Sequence, residues 1–173
     1  MASAVALPVT AALFAIAAHT GGGPDRAPVA SATSTTSAQP PTLGPVELPA
    51  PPKTADADRY CPDFVAALPI TLDGLHSRPA QSTSPWVGAW GDPAVTFRCG
   101  VPRPAGLEQT SPLQVVDGVQ WYYRQDGDSV VFTAVDRPVY VELTVPSRYA
   151  GGPLSEITRA LGATLPARPL DLH

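Results

Sequence analysis

The chain has 173 residues, 22 of them proline and 14 glycine, with only 15% charged and 7% aromatic side chains. Its formal net charge is -4 and its 11 Lys and Arg residues are scattered singly, which excludes a basic nucleic-acid footprint and a polybasic lipid-binding surface. Two Cys and three His in no cluster leave no structural zinc site, and no cofactor is expected.

The N-terminus is apolar. From Ala2 to Ala18 no residue is charged, and Leu7, Val9, Leu13, Phe14 and Ile16 fill the run. It is slightly short for a bilayer-crossing helix, which needs about 20 residues, and long for a signal-peptide core of about 7–15. Ala15-Ile16-Ala17 offers a small-x-small cleavage triplet. Residues 1–20 are therefore expected to anchor the chain in the membrane or to be cleaved near Ala17; either way the chain is exported. No Cys directly follows, so a lipidated N-terminus is excluded. The Lys or Arg that normally precedes such a run is missing, which points to a start upstream.

Residues 21–58 read as a tether. Gly21-Gly22-Gly23-Pro24 opens the segment, Ser31 to Gln39 is almost wholly Ser, Thr and Ala, and six prolines follow between Pro40 and Pro52. Such a composition buries too little apolar surface to offset chain entropy, so a disordered, partly polyproline-II spacer is expected.

Residues 59–173 carry the fold. Asp58 is placed to cap a short helix in which Cys61, Phe64, Val65 and Leu68 share one stripe, with Pro69 as its stop. Strands are expected at Trp86–Trp90 and Ala94–Cys99, joined by Gly91-Asp92-Pro93, and at Leu113–Val116 and Val119–Arg124, joined by Asp117-Gly118. Two more are expected at Val130–Val135 and Val139–Val145. In the last, Val139, Val141, Leu143 and Val145 point inward by strict alternation. A closing helix has Pro153 in its first turn, Leu154, Ile157 and Leu161 on one face, and Gly162 at its end. The fold class is thus α+β: an antiparallel sheet of five to six strands, with the N-terminal and C-terminal helices on one face. Cys61 and Cys99 each sit on the apolar face of their element, so a structural disulfide between them is expected in an exported chain.

Cys61…Leu68-Pro69, Trp90-Gly91-Asp92-Pro93, Arg98-Cys99-Gly100-Val101-Pro102, Asp117-Gly118-Val119-x-Trp121 and Asp136-Arg137-Pro138 occur in that order. Together they resemble the actinobacterial envelope proteins of the domain of unknown function 3515 family over about 60–173. The resemblance implies an extracytoplasmic location and this layout; it brings no activity.

The candidate chemistry is sparse. His76 with Ser82 or Ser84 and Asp92 offers the residue types of a triad, but no Gly-x-Ser-x-Gly elbow is present, and a surface histidine is the better reading. The aspartates, Asp136 among them, fall at turns and helix starts. Asp126-Gly127-Asp128 is too short for a calcium loop. Trp121 and Tyr123 share a face with Val119 and read as core, whereas Tyr122 falls on the opposite face beside Arg124. The candidate binding patch is Trp90, Asp92 and Arg98 near one end of a hairpin, with an Arg98–Asp92 pair as the plainer alternative. The expected function is a non-enzymatic envelope module binding an envelope protein or cell-wall component, with membrane contact through the N-terminal segment and no nucleic acid. The alternative is a hydrolase or transferase acting on wall precursors.

Overall fold

The turn signals between Leu72 and Ser129 decide how the strands meet. Asp117 and Gly118 both take positive φ, 44° and 76°, the backbone of the two-residue turn whose twist matches that of its flanking strands. Asp73 and Gly74 do the same at 49° and 78°. A computed structural model describes residues 43–149 and 151–171. The chain divides into Met1–Gln39 and Pro40–His173. The expectations for residues 1–20, and for the tether as far as residue 42, lie outside the described residues.

In chain order the elements are β1 (Val46–Glu47), α1 (Ala55–Ala66), β2 (Thr71–Leu72), β3 (Leu75–Arg78), β4 (Ala80–Gln81), β5 (Val87–Trp90), β6 (Val95–Val101), β7 (Leu113–Val116), β8 (Val119–Asp126), β9 (Ser129–Ala134), β10 (Tyr140–Pro146) and α2 (Gly152–Thr164). Eight strands form one sheet in the order β2-β3-β5-β6-β10-β9-β8-β7, every pair antiparallel. The α+β class is as expected, and the six expected strands all form. The sheet is larger because β2 and β3 flank Asp73-Gly74, a turn dipeptide of the same kind that marked β7–β8.

The ordered fold also starts earlier than Arg59. Val46 and Glu47 pair in parallel with Ala80 and Gln81, and two Arg78 N–H groups reach the Gly44 carbonyl oxygen at 2.7 and 3.1 Å. Helix α1 is capped by Thr54, whose Oγ1 accepts from the Ala57 N–H at 3.1 Å, not by Asp58. Asp56 and Asp58 instead lie in the first turn, where carboxylates oppose the positive end of the helix dipole. Helix α1 ends at Ala66, before Pro69. Helix α2 runs two residues past Gly162 and is capped by Leu165. Its first turn meets the β2–β3 turn: the Asp73 carboxylate lies against Gly152, and the Asp73 N–H donates to Glu156 Oε1 at 3.2 Å.

Both helices feed one core. Ala57, Cys61 and Phe64 of α1 and Leu154, Ile157 and Leu161 of α2 join Phe97, Cys99, Val141 and Leu143 of the sheet in a single buried cluster. Phe64 meets Phe97 edge to face, 5.8 Å between ring centres. Cys61 and Cys99 are bonded, with Cα atoms 5.9 Å apart. At that point β6 carries an extra residue: Tyr140 opposes Val101 but Val141 opposes Cys99. Gly100 occupies the bulge at φ +89°, and a Cβ there would lie 2.8 Å from the Cβ of Ala57. A glycine is needed both for that φ and for the close approach of α1.

Register then assigns the two faces. The rows Gly88–Phe97–Leu143–Phe132–Tyr123 and Cys99–Val141–Ala134–Trp121–Gln114 face the helices. The row Val87–Arg98–Glu142–Thr133–Tyr122–Leu113 faces the other way.

Candidate functional site

The residues singled out from the sequence separate in space. Trp90 is buried on the helix-covered face, opposite Val95. Its indole N–H donates to the Pro69 carbonyl oxygen at 3.0 Å and its ring packs on Phe97. Asp92 is exposed at the β5–β6 turn, where Arg78 Nη1 lies 3.5 Å from its Oδ1. Arg98 is on the outer face at the far end of the same hairpin, opposite Val87. The three do not converge, and the Arg98–Asp92 pair does not form. Arg98 instead donates from Nε and Nη2 to Glu142 Oε1 at 3.0 and 2.6 Å. Strand β10, 44 residues on, inserts beside β6, and no local pattern in the sequence announces that neighbour.

The remaining candidates sort by face. His76 is exposed on β3 opposite Thr71. Ser82 and Ser84 accept from the backbone N–H groups of Ser84 and Trp86, which is turn chemistry. Trp121 is buried, as expected, but Tyr123 on the same face is 43% exposed, because the row it ends runs past the helices. Asp136 is not a solvated turn residue. It is buried against Arg137, with Oδ2 2.9 Å from Nη1. Among the described residues, Trp121 Nε1, Asp136 Oδ1 and Arg137 Nε are buried without a hydrogen-bond partner, and no cluster of three or more His, Cys, Asp or Glu is placed to hold a metal ion.

A walled recess forms on the outer face. Tyr122, Arg124, Thr133 and Glu142 line it from the sheet, and Pro102, Pro104, Ala105 and Gly106 line it from the loop after β6; its volume is about 250 Å³. The loop holds its own shape. Arg103 Nη2 donates to the Leu107 carbonyl at 2.7 Å, Leu107 N–H to the Pro104 carbonyl at 3.1 Å, and Ser111 Oγ to the Gly106 carbonyl at 3.2 Å. Leu107 is buried and pins the loop to the domain. Gly106 has no side chain, and the Tyr122 hydroxyl lies 2.5 Å from where its Cβ would be. The phenol thus leans against the loop and closes one wall.

The chemistry of the recess is polar and unevenly satisfied. Glu142 and Arg98 are mostly buried, their side chains 17% and 25% exposed. Both guanidinium bonds land on one oxygen, Oε1. Among the described residues, Glu142 Oε2 and the hydroxyls of Tyr122 and Thr133 have no hydrogen-bond partner. Arg124 is half exposed and pairs with Asp126 at 3.0 Å. Beside the recess, burial pushes the Tyr140 phenol above its ordinary value, Asp171 adds to the rise and Arg103 opposes it. The sequence pattern places Tyr122 and Arg124 together on this face. It misses Glu142 and Thr133, which join them only through the β6–β10–β9–β8 register.

Fold and recess together define an α+β domain with a disulfide on its covered face and a polar recess on its open one. The family model described as "Protein of unknown function (DUF3515)" matches residues 3–170, and the chain belongs to that family. No curated protein and no solved structure matches it.

Proposed function

We propose that this chain is a non-enzymatic binding or accessory module of the cell envelope. Its domain is displayed outside the cytoplasm, held at the membrane by residues 1–20 or released by cleavage near Ala17. Support for export comes from the uncharged run Ala2–Ala18 and from the Cys61–Cys99 bond, since disulfides persist in oxidising compartments. The observation that carries the binding role is the outer-face recess. Its carboxylate has its position fixed and its charge balanced by Arg98, while its second oxygen and two neighbouring hydroxyls remain for a guest. Charge-assisted hydrogen bonds of that kind favour holding a donor in one orientation.

The test is hydrogen exchange on the full-length chain in detergent, with fractionated envelope and cell-wall material added. Protection confined to β8, β10 and the loop 102–111, with the bound compound released chemically unchanged, supports the reading. A fraction converted steadily into product makes the chain a hydrolase or transferase and overturns it. Absence of protection on this face from every fraction overturns it as well.

A further inference from the structure

The distribution of charge in the recess narrows the guest, on the premise that the recess is a binding site as proposed above. Glu142, Thr133 and Tyr122 form one cross-strand row over β10, β9 and β8, so Glu142 and Tyr122 are separated by two strand spacings, about 10 Å between Cα atoms. Arg124 lies one pleat repeat further along β8, about 7 Å from Tyr122. The negative and positive groups therefore stand at opposite ends of the recess, with hydroxyls between them. Arg98 is committed to Glu142. Arg124 is held only by an exposed pair with Asp126, and such surface pairs are weak enough for an incoming carboxylate to displace.

We propose that the recess binds a short zwitterionic peptide of two or three small residues. Its ammonium sits on Glu142, its carboxylate on Arg124, and its backbone amides face the hydroxyls of Tyr122 and Thr133. The dimensions agree. Two extended residues span about 7 Å, and the Glu and Arg side chains cover the rest of the distance. An ammonium supplies the donors that the unpartnered carboxylate oxygen needs, and the guanidinium fork matches a carboxylate. The apolar wall of Pro102, Pro104 and Ala105 accepts small side chains. A neutral sugar would also use the hydroxyls and Tyr122, but it would bring neither a charged donor to the second Glu142 oxygen nor a carboxylate to the Arg124 fork.

The probe is L-alanyl-L-alanine, titrated into the isotope-labelled full-length chain in detergent and followed by amide chemical shifts. The expected result is a saturable shift centred on Tyr122, Thr133 and Glu142. N-acetylation or C-amidation of the dipeptide should each weaken it about tenfold or more, as the loss of one charge-assisted bond implies. Arg124→Gln, an exposed change, should abolish the distinction between dipeptide and amide; Glu142→Gln should abolish that between dipeptide and N-acetyl dipeptide. A doubly capped dipeptide that binds as well as the free one overturns the proposal. So does saturation by a neutral disaccharide with no response to dialanine, although that outcome leaves the recess a binding site. Hydrolysis of dialanine to alanine would keep the zwitterion selectivity and overturn instead the non-enzymatic reading.

Discussion

The two faces of the same sheet are held by different kinds of information. On the helix-covered face, the identity of each residue already implies its place. Val95, Phe97 and Cys99, and Val141, Leu143 and Val145, alternate with polar neighbours and are all nearly fully buried. Burial is set by period within a strand, so a stretch of seven residues contains the answer. On the open face the residues are polar or mixed, and what each one does depends on its neighbour in the next strand. Arg98 meets Glu142, and Glu142 meets Thr133, only because β10 lies between β6 and β9. Placement on the covered face is local knowledge, and placement on the open face is long-range knowledge.

The comparison is broken most severely at the disulfide. Cys61→Ala should destabilise the domain by about 2–5 kcal/mol, since the bond closes a loop of 38 residues. Thermal melts with and without reductant would measure it. Binding at the proposed outer-face recess should survive below the lowered transition, because the bond lies on the covered face. Loss of binding in the still-folded variant would show that the two faces are coupled.

The same face has a second point of failure at Gly100. Replacement by Ala puts a side chain on a φ of +89° and within 2.8 Å of Ala57. The left-handed backbone costs about 1–2 kcal/mol, and the forced displacement of α1 adds a comparable amount. Denaturant midpoints should fall accordingly. A midpoint equal to that of the parent chain would show that α1 does not approach the bulge this closely.

What the sequence discloses follows the same division. Six strands, two helices, the inward faces and the cysteine pair were legible because each rests on period, turn dipeptide or compartment. Strands β2 and β3 carried a legible signal, Asp73-Gly74, but their short runs gave too little alternation to support it. Thr54 was hidden by its proline-rich surroundings, which resemble a tether in composition while Val46 and Glu47 pair with β4. The patch Trp90–Asp92–Arg98 does not assemble for two physical reasons: successive strand residues alternate between faces, and the two ends of a hairpin stand a strand length apart. Trp90 went to the core, and Arg98 went to the opposite face and the far end. Tyr122 and Arg124 were found because they lie on one face of one strand; Glu142 and Thr133 were not, because a row across strands leaves no trace along the chain.

Arg98→Ala moves the test to the open face. The pair it breaks is mostly buried and made twice to one oxygen. Its loss should cost about 1–2 kcal/mol, between an exposed pair and a buried one. Glu142→Gln keeps a hydrogen-bond acceptor for Arg98 and should cost less. If Glu142→Gln melts like the parent chain while Arg98→Ala does not, the carboxylate charge contributes nothing to the fold; if the two variants melt alike, the charge carries the whole of the pair's contribution.

The smallest structural effect is expected at an atom for which the proposed recess still forecasts a functional one. Among the described residues the Tyr122 hydroxyl has no hydrogen-bond partner, and it lies 2.5 Å from where a Cβ on Gly106 would be. Tyr122→Phe removes that oxygen and leaves the ring against the loop wall, so stability should change by no more than about 0.5 kcal/mol. A hydroxyl retained in a recess without a protein partner has only solvent or a guest to bond. Its removal should weaken guest binding about fivefold to tenfold, the value of one neutral hydrogen bond in a desolvated site. A melt and a dialanine titration on one preparation separate the two effects. Unchanged affinity in a normally folded Tyr122→Phe would mean that the guest engages the charged ends alone, with the hydroxyl left to water.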